Sequence, residues 1–381
     1  MCALFQRLVG RKIALCITGS VAAVECVKLA RVLRRLGADV TGYMSQGAQD
    51  IIHPNAVEFA TGQAVVLGLT GRVEHLRGFD LVIVAPATAN TVSKIVHGIS
   101  DSPVTALALA SKCPVIIAPA MHLEMYENQI FQSNFEALKT RFYIVEPLVS
   151  EGAAKMAPVD EIVDAAVYCL TEKDFSGKSV VVTAGPTAEP IDPVRVITNR
   201  SSGRMGIALA REAWLRGADV TLVYGPGSVP APSKLRTIDV ESASEMADAV
   251  ATVSDCDFFI GAAAVSDFTT KAADEKIQSR KGGFNLRLTP TPKILANLCA
   301  NTVKVGFKAE HGLSEAALIQ SARRLLVEHQ LDLVVANDVS KDIFGSTETE
   351  AILVDGSDEK IIGRIGKDEA AKLIFDWLGE L

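Results

Sequence analysis

The chain has 381 residues, a length that suggests two domains, and its 49% hydrophobic and 22% charged residues are typical of globular proteins. A formal net charge of −7 provides no basic footprint for a nucleic-acid partner. The seven cysteines have neither CxxC nor metal-ligand spacing, and uninterrupted apolar runs stay short of the ~18 residues that cross a membrane. We therefore expect a cytoplasmic protein with reduced thiols and no membrane partner.

The first half alternates short apolar runs with segments of helix length. Strands are predicted at 13–17, 40–44, 81–85, 115–118 and 143–145, with a first helix over 20–36. This alternation predicts a parallel sheet with crossover helices.

Uncharged loops follow several of these strands. Gly19 and Ser20 follow the first strand, Ser45 the second, and Thr88 and Asn90 the third. Because carboxyl ends of parallel strands share one edge, such small residues could receive a flat heteroaromatic ligand. The alternative is that each hydroxyl or carboxamide only caps the next helix.

A strand at 180–183 opens the second half and is followed by an unusually long turn. That turn holds Asn199, Arg200 and Ser201, and a helical pattern begins only near Met205. Hydroxyls and arginines leading into a helix N-terminus form an anion cradle, which favours a phosphate-bearing ligand. An ordinary connection with a solvated basic loop is the alternative.

The chain contains a shorter copy of this pattern. Thr18 to Asp39 spans 21 residues and Thr183 to Asp219 spans 36, so the second copy carries 15 extra residues. Further strands are predicted at 220–224, 258–260, 303–307 and 333–336. With a boundary near Asp174, the sequence predicts an α/β protein of two doubly wound, Rossmann-like domains, 1–173 and 174–381.

Specific motifs carry a family resemblance. ITGSVAAVE, APATANT and APAMHLEMY resemble the flavin-containing cysteine decarboxylases, whereas TAGPTAEPIDPVRVITNRSSGRMG, GAAAVSDF and DEKI resemble the phosphopantothenate–cysteine ligases. In this order, the chain resembles the bifunctional phosphopantothenoylcysteine decarboxylase / phosphopantothenate–cysteine ligase family of coenzyme A synthesis, from about Lys12 onward. At the position where the family commonly has an asparagine, this chain has His122. In this respect it resembles archaeal members of the family.

For the first half, the resemblance implies a flavodoxin-like domain that binds FMN. The flavin makes loss of CO₂ from a cysteinyl group feasible by oxidising its thiol. The matching FMN positions are Gly19, Ser20, Ser45, Thr88 and Asn90. His75 matches the catalytic histidine, its alternative being a surface histidine after a turn, and His122 would hold the substrate carboxylate.

The family's flap cysteine, which protonates the enethiolate, is absent. Its position falls near Leu148, and no cysteine lies in that segment. Lys155, Glu151 or a water could replace it. The alternative is that this half no longer decarboxylates.

For the second half, the resemblance implies a ligase that activates 4'-phosphopantothenate with CTP and Mg²⁺ (or Mn²⁺), then joins it to cysteine. Asn199 matches the residue of the second step and Lys276 the lysine that neutralises the nucleotide phosphates. The resemblance does not assign the metal ligands, and whether the nucleotide is CTP or another one stays open. The matching nucleotide-binding positions are Gly261, Ala262, Ala263, Asp267, Lys276, Thr291, Pro292, Lys293, Ile294 and Phe307.

The resemblance also implies a homo-oligomer, built from trimeric flavin domains and dimeric ligase domains and possible as a dodecamer. Two alternatives to the bifunctional enzyme stay open. One is an active ligase whose flavin half is only an assembly scaffold, and the other is a flavin-binding regulatory subunit. An NAD-dependent Rossmann enzyme is disfavoured because no GxGxxG follows the first strand.

Overall fold

The computed structural model describes residues 6–70, 73–278, 285–340 and 345–380. The described chain forms two compact units, one ending at Thr171 and the other beginning at Glu172. That division lies two residues from the boundary expected from the sequence. Among the described helices, none is long and apolar enough to cross a membrane.

The described part of the first unit contains eight strands and eight α-helices. The strands are β1 (Lys12–Ile17), β2 (Asp39–Met44), β3 (Leu81–Ala87), β4 (Val115–Pro119), β5 (Met121–His122), β6 (Tyr143–Ile144), β7 (Leu148–Ser150) and β8 (Ala153–Lys155). The helices are α1 (Cys26–Arg35), α2 (Gln46–Gln49), α3 (Pro54–Thr61), α4 (Ala89–Val96), α5 (Pro103–Ala110), α6 (Leu123–Tyr126), α7 (Gln129–Lys139) and α8 (Val159–Leu170).

The main sheet of this unit has the order β2-β1-β3-β4-β6, with every pairing parallel, which confirms the predicted architecture. All seven residues of β3 are buried, as expected for a central parallel strand. The first helix differs from the expectation, because the chain makes a 3-10 turn over Val21–Glu25 before α1 begins at Cys26. Strands β5, β8 and β7 form a separate antiparallel sheet that the sequence did not predict.

Within its described residues, the second unit contains twelve strands and four α-helices. The strands are β9 (Ser179–Ala184), β10 (Ala188–Pro190), β11 (Val196–Thr198), β12 (Asp219–Tyr224), β13 (Arg236–Asp239), β14 (Phe258–Gly261), β15 (Phe268–Thr269), β16 (Thr289–Pro290), β17 (Val303–Glu310), β18 (Leu333–Asp338), β19 (Glu348–Val354) and β20 (Glu359–Gly366). The helices are α9 (Arg204–Leu215), α10 (Ala243–Thr252), α11 (Glu315–His329) and α12 (Lys367–Leu378).

Eight of these strands form one sheet with the order β13-β12-β9-β14-β17-β18-β19-β20. The pairings from β13 to β18 are parallel, which confirms the strands predicted in this half. Strands β19 and β20 add an antiparallel edge that was not predicted. The long turn after β9 contains the hairpin β10–β11, so much of its extra length is ordered backbone pairing.

Candidate active sites

A cavity of about 1140 Å³ lies in the first unit, at the carboxyl ends of β1, β2, β3 and β4. The structure brings together here all five positions matched to the flavin, together with the histidine of the next loop. These lining residues are Gly19, Ser20, Ser45, Thr88, Asn90 and His122. The sequence predicted this grouping because consecutive parallel strands end at one edge of a sheet.

The hydroxyls of this cavity also cap the helices that follow them. The oxygen of Ser20 accepts from Ala22 N at 3.4 Å, that of Ser45 from Ala48 N at 3.3 Å, and that of Thr88 from Thr91 N at 3.3 Å. A hydroxyl has two acceptor lone pairs and one donor, so capping leaves it able to bond a ligand. The capping interpretation and the binding interpretation therefore describe the same side chains.

Two glycines bring neighbouring loops of this cavity into close backbone contact. A Cβ atom added to Gly19 would lie 3.0 Å from the carbonyl carbon and oxygen of Gly47. Any side chain at Gly19 would therefore push the loop after β1 away from the loop after β2. Both glycines line the cavity, so this close approach fixes its width at that point.

A flap formed by β5, β8 and β7 closes one side of the same cavity. His122 in β5 pairs with Ala153 in β8, while Leu148 in β7 pairs with Lys155. Leu148 and Lys155 both line the cavity, whereas the ion-pair partner of Lys155, Glu151, lies outside the lining on the hairpin turn. Among the described residues no cysteine lines the cavity, so His122 and Lys155 are the proton-bearing side chains that the flap contributes.

Charged groups on the opposite wall are paired. Lys94 contacts Asp101 at 2.6 Å, and both residues line the cavity. The hydrogen bond from Lys94 holds the pKa of Asp101 below its usual range, so this carboxylate is ionised at neutral pH. The two charges on this wall therefore cancel, which suits an uncharged, flat ring system.

His75 lies apart from this cavity. It belongs to the single 3-10 turn Glu74–Leu76, which lies against α5, and it is not one of the residues that line the cavity. Its Nδ1 atom is buried and has no hydrogen-bond partner among the described residues. Sequence order placed His75 before β3, but within the described unit the structure does not bring it together with His122. Its catalytic assignment stays a prediction.

A second cavity, of about 640 Å³, lies in the second unit at the carboxyl ends of β14, β17 and β18. Part of the predicted ligase set lines it, namely Asn199, Ala262, Ala263, Asp267 and Phe307. The other predicted positions lie outside this lining, namely Gly261, Lys276, Thr291, Pro292, Lys293 and Ile294. Thr291 and Lys293 nevertheless contact Asp267, through a 3.1 Å bond from Thr291 N to its carbonyl and a 3.4 Å ion pair.

The start of α9 packs closely against the sheet at this cavity. Gly203, the N-cap residue, has a φ of +80°, and a Cβ there would lie 2.7 Å from the ring of Tyr224. One turn later, a Cβ on Gly206 would lie 2.3 Å from the Cβ of Ala184. Only glycine fits these positions, so the start of α9 is held against the sheet beside the cavity, where the N–H of Arg204 donates to Ser202 Oγ at 3.5 Å.

The charge of the cavity lining is strongly cationic. Arg200, Arg204, Lys308 and Lys367 line it together with one carboxylate, that of Asp267. The Nε atom of Arg204 is buried and has no hydrogen-bond partner among the described residues. This charge balance and the start of α9 suit a polyphosphate. Lys367 was missed by sequence reasoning because it begins the last helix, far along the chain.

The carboxamide of Asn199 is held by backbone carbonyls. Its Nδ2 donates to Ala264 O at 2.9 Å and to Val265 O at 3.3 Å. Within the described residues its Oδ1 accepts no hydrogen bond, so the oxygen is the atom of this side chain open to a ligand. The position follows from β11, which ends one residue earlier.

Neither cavity has a ready-made metal site within the described residues. Among the described residues, no group of three or more His, Cys, Asp or Glu side chains is placed to hold a metal ion. A divalent ion in the second cavity would therefore have to arrive largely coordinated by phosphate oxygens, as is usual for Mg²⁺.

The two units match two known families. Residues 175–381 match the family described as DNA/pantothenate metabolism flavoprotein C-terminal domain, and residues 4–171 match the family described as flavoprotein. The Thermococcus kodakarensis coenzyme A biosynthesis bifunctional protein CoaBC is 47% identical, with the alignment covering 97% of this chain and 95% of that protein. The chain belongs to the CoaBC family.

Other relatives of the CoaBC family align over most or half of the chain. The CoaBC protein of Vibrio vulnificus strain YJ016 is 38% identical over 88% of this chain and 88% of its own. The crystal structure of the C-terminal domain of a CoaBC protein is 30% identical and covers 55% of this chain and 97% of its own, with a TM-score of 0.47. The family resemblance inferred from the motifs is thus confirmed.

Proposed function

We propose that this chain, a bifunctional enzyme of coenzyme A biosynthesis, ligates 4'-phosphopantothenate to cysteine with CTP and then decarboxylates the phosphopantothenoylcysteine to 4'-phosphopantetheine. The observation that carries the proposal is the presence, in one CoaBC-family chain, of two differently charged cavities on two separate sheets. We assign the decarboxylase to 1–173 and the ligase to 174–381.

In the ligase half, the carboxylate of 4'-phosphopantothenate attacks the α-phosphorus of CTP, forming an acyl-cytidylate and releasing pyrophosphate. The cationic lining, with Arg204 and Lys308 within it, neutralises the phosphates, and the N-terminus of α9 supplies N–H donors. Mg²⁺ (or Mn²⁺) would enter with the nucleotide. Lys276 lies exposed in a loop and would reach the phosphates with its long side chain.

In the second step, the amine of cysteine attacks the acyl carbon and displaces CMP. The family pattern implies that Asn199 stabilises the tetrahedral adduct, but here its N–H groups already face two carbonyls. We infer that Oδ1 instead accepts a hydrogen bond from the attacking amine, which orients the nitrogen lone pair toward the acyl carbon. The carbonyl bonds of Nδ2 hold that oxygen in place.

In the decarboxylase half, the first cavity would bind FMN, with Gly19, Ser20, Ser45, Thr88 and Asn90 as the residues that would hold it. When bound, FMN would supply the reversible oxidation of the substrate thiol. We propose that His122 binds the substrate carboxylate until CO₂ leaves. Lys155 is placed to deliver the proton that completes the product, because it lies on the flap that lines the same cavity.

The protein is proposed to be a cytoplasmic homo-oligomer with trimeric flavin domains and dimeric ligase domains. Large apolar side chains on the first unit support association with further copies, since Val21 is 78% exposed, Phe59 78% and Ile130 75%. Size-exclusion chromatography with light scattering tests this assembly directly.

The experiment that tests the proposed function follows each half separately. After addition of FMN and removal of unbound flavin, the purified protein should retain a flavin absorption spectrum. It should also release pyrophosphate when given 4'-phosphopantothenate, CTP and Mg²⁺. Pyrophosphate release by a protein that neither binds FMN nor evolves CO₂ would favour the alternative of a ligase with a flavin half that serves only as a scaffold. FMN binding without either reaction would favour the regulatory subunit.

A further inference from the structure

The hairpin turn between β10 and β11 is bound to the segment that carries Lys276. Residues 191–195 form the turn, and three hydrogen bonds join it to residues 273–277. The three bonds run from Ala273 N to Ile191 O (2.9 Å), from Ile277 N to Asp192 Oδ2 (3.1 Å) and from Arg195 Nη1 to Ile277 O (3.1 Å).

Asp192 is the centre of this connection. Its side chain is 0% exposed, and Oδ1 accepts from Val194 N at 2.8 Å and Arg195 N at 2.9 Å, which closes the turn. Oδ2 accepts from the Arg195 guanidinium at 2.8 Å and from Ile277 N. Burial alone would raise the pKa of this carboxyl, but the N–H groups and the guanidinium hold it below the usual range. The carboxylate therefore stays charged at neutral pH, with both oxygens occupied.

The other end of the same hairpin leads to Asn199. Strand β11 ends at Thr198, whose hydroxyl donates to Thr187 O at 2.8 Å, and Asn199 follows with its own bonds to carbonyls. One rigid hairpin thus connects the residue proposed for the second ligase step to the segment proposed for the first. Lys276 itself is exposed, so its reach depends on where its backbone is held.

We propose that Asp192 is a positioning residue of the ligase, which holds the Lys276 segment at a fixed place relative to Asn199 and so supports the activation step. The proposal rests on the proposed function, because it takes the roles of Lys276 and Asn199 from there. Asp192 does not line the cavity and touches no reacting atom. Its effect should therefore fall on the half-reaction that uses Lys276 and leave the other unchanged.

The test compares Asp192→Asn with Asp355→Asn in the full-length protein. Asp355 is a matched control because it is 7% exposed and also closes a turn, accepting from Ser357 N at 2.8 Å and Asp358 N at 2.7 Å. Hydrogen–deuterium exchange over 273–278 reports on the tether without any need for activity. Pyrophosphate release without cysteine reports activation, and amide formation after cysteine is added to preformed acyl-cytidylate reports the second step.

We expect Asp192→Asn to speed exchange over 273–278 and to lower kcat/KM for activation by about 10–100-fold, the scale of a displaced reacting group. Amide formation should be unchanged. Asp355→Asn should alter neither the exchange over 273–278 nor the ratio of the activation rate to the rate of amide formation. Arg195→Lys, which keeps the charge beside Asp192 but reaches one acceptor instead of two, should give a smaller loss of the same kind.

Unchanged exchange in Asp192→Asn would overturn the proposal, as would faster exchange with normal activation. An equal loss in both half-reactions would also overturn it, because that is the result of general destabilisation. A wild-type protein that releases no pyrophosphate would instead refute the proposed ligase function, and exchange would still decide whether Asp192 holds the segment.

Discussion

The closest approach of helix to sheet at the second cavity gives a prediction with a calculable size. In Gly206→Ala, the added methyl would lie 2.3 Å from Ala184 Cβ and 3.2 Å from Thr183 O. Carbon atoms in contact sit about 3.5–4.0 Å apart, so the helix must move by more than ~1 Å. Overpacking of this kind costs about 1–3 kcal/mol, while exchanging glycine for alanine within a helix recovers at most ~1 kcal/mol.

With the full helix-propensity gain, the net loss is at most about 2 kcal/mol, which in a unit of this length corresponds to a drop in Tm of up to about 8 °C. The displaced start of α9 should also weaken nucleotide binding. The assay is calorimetry of the full-length protein, following the transition that CTP raises. Gly363→Ala is the control, because no atom lies within 4 Å of its added Cβ. A Gly206→Ala protein with the Tm and nucleotide affinity of the wild type would refute the packing argument.

Three further predictions concern the proposed steps and the acid stability. Asn199→Ala should still release pyrophosphate but form the amide about 10²-fold more slowly, the scale of a misoriented nucleophile, whereas Lys276→Gln should block pyrophosphate release; a reversed pattern would contradict these roles. Lys155→Ala should release CO₂ only once per bound FMN, leave the flavin reduced and form no 4'-phosphopantetheine, as followed without oxygen by product analysis and flavin absorbance; unchanged turnover would indicate Glu151 or water as the acid. Hydrogen bonds from Ser179 hold the pKa of Asp257 below its usual range, so its stabilisation is complete above pH ~3.9 and lost as pH falls through the folded-state pKa. Asp257→Asn should flatten the acid limb of the stability curve, and an unchanged limb would contradict this.

The parallel core could be predicted from the sequence because its strands are continuous apolar runs bounded by turn residues. Strand β3 is one such run, and the loop after it carries Thr88 and Asn90 to the first cavity. The grouping of these loops follows from topology alone, since parallel strands end at the same edge. The order of the sequence motifs then identified the family, which could not be identified from composition.

The unpredicted elements are those whose structure depends on partners distant in sequence. Strand β5 has two residues and exists only through its pairing with β8, so no local pattern marks it. His75 precedes β3 in the chain yet lies against α5, a placement set by packing. The tether of Asp192 to Ile277 joins residues 85 apart and was equally invisible in the sequence.

The most direct test of the bifunctional account is a single coupled reaction. Full-length protein with FMN is incubated without oxygen with 4'-phosphopantothenate, cysteine, CTP and Mg²⁺, and pyrophosphate and 4'-phosphopantetheine are quantified together. Each ligation consumes one CTP and each decarboxylation one phosphopantothenoylcysteine, so the account predicts equal amounts of the two products at completion. Pyrophosphate with accumulating phosphopantothenoylcysteine and no 4'-phosphopantetheine would contradict it.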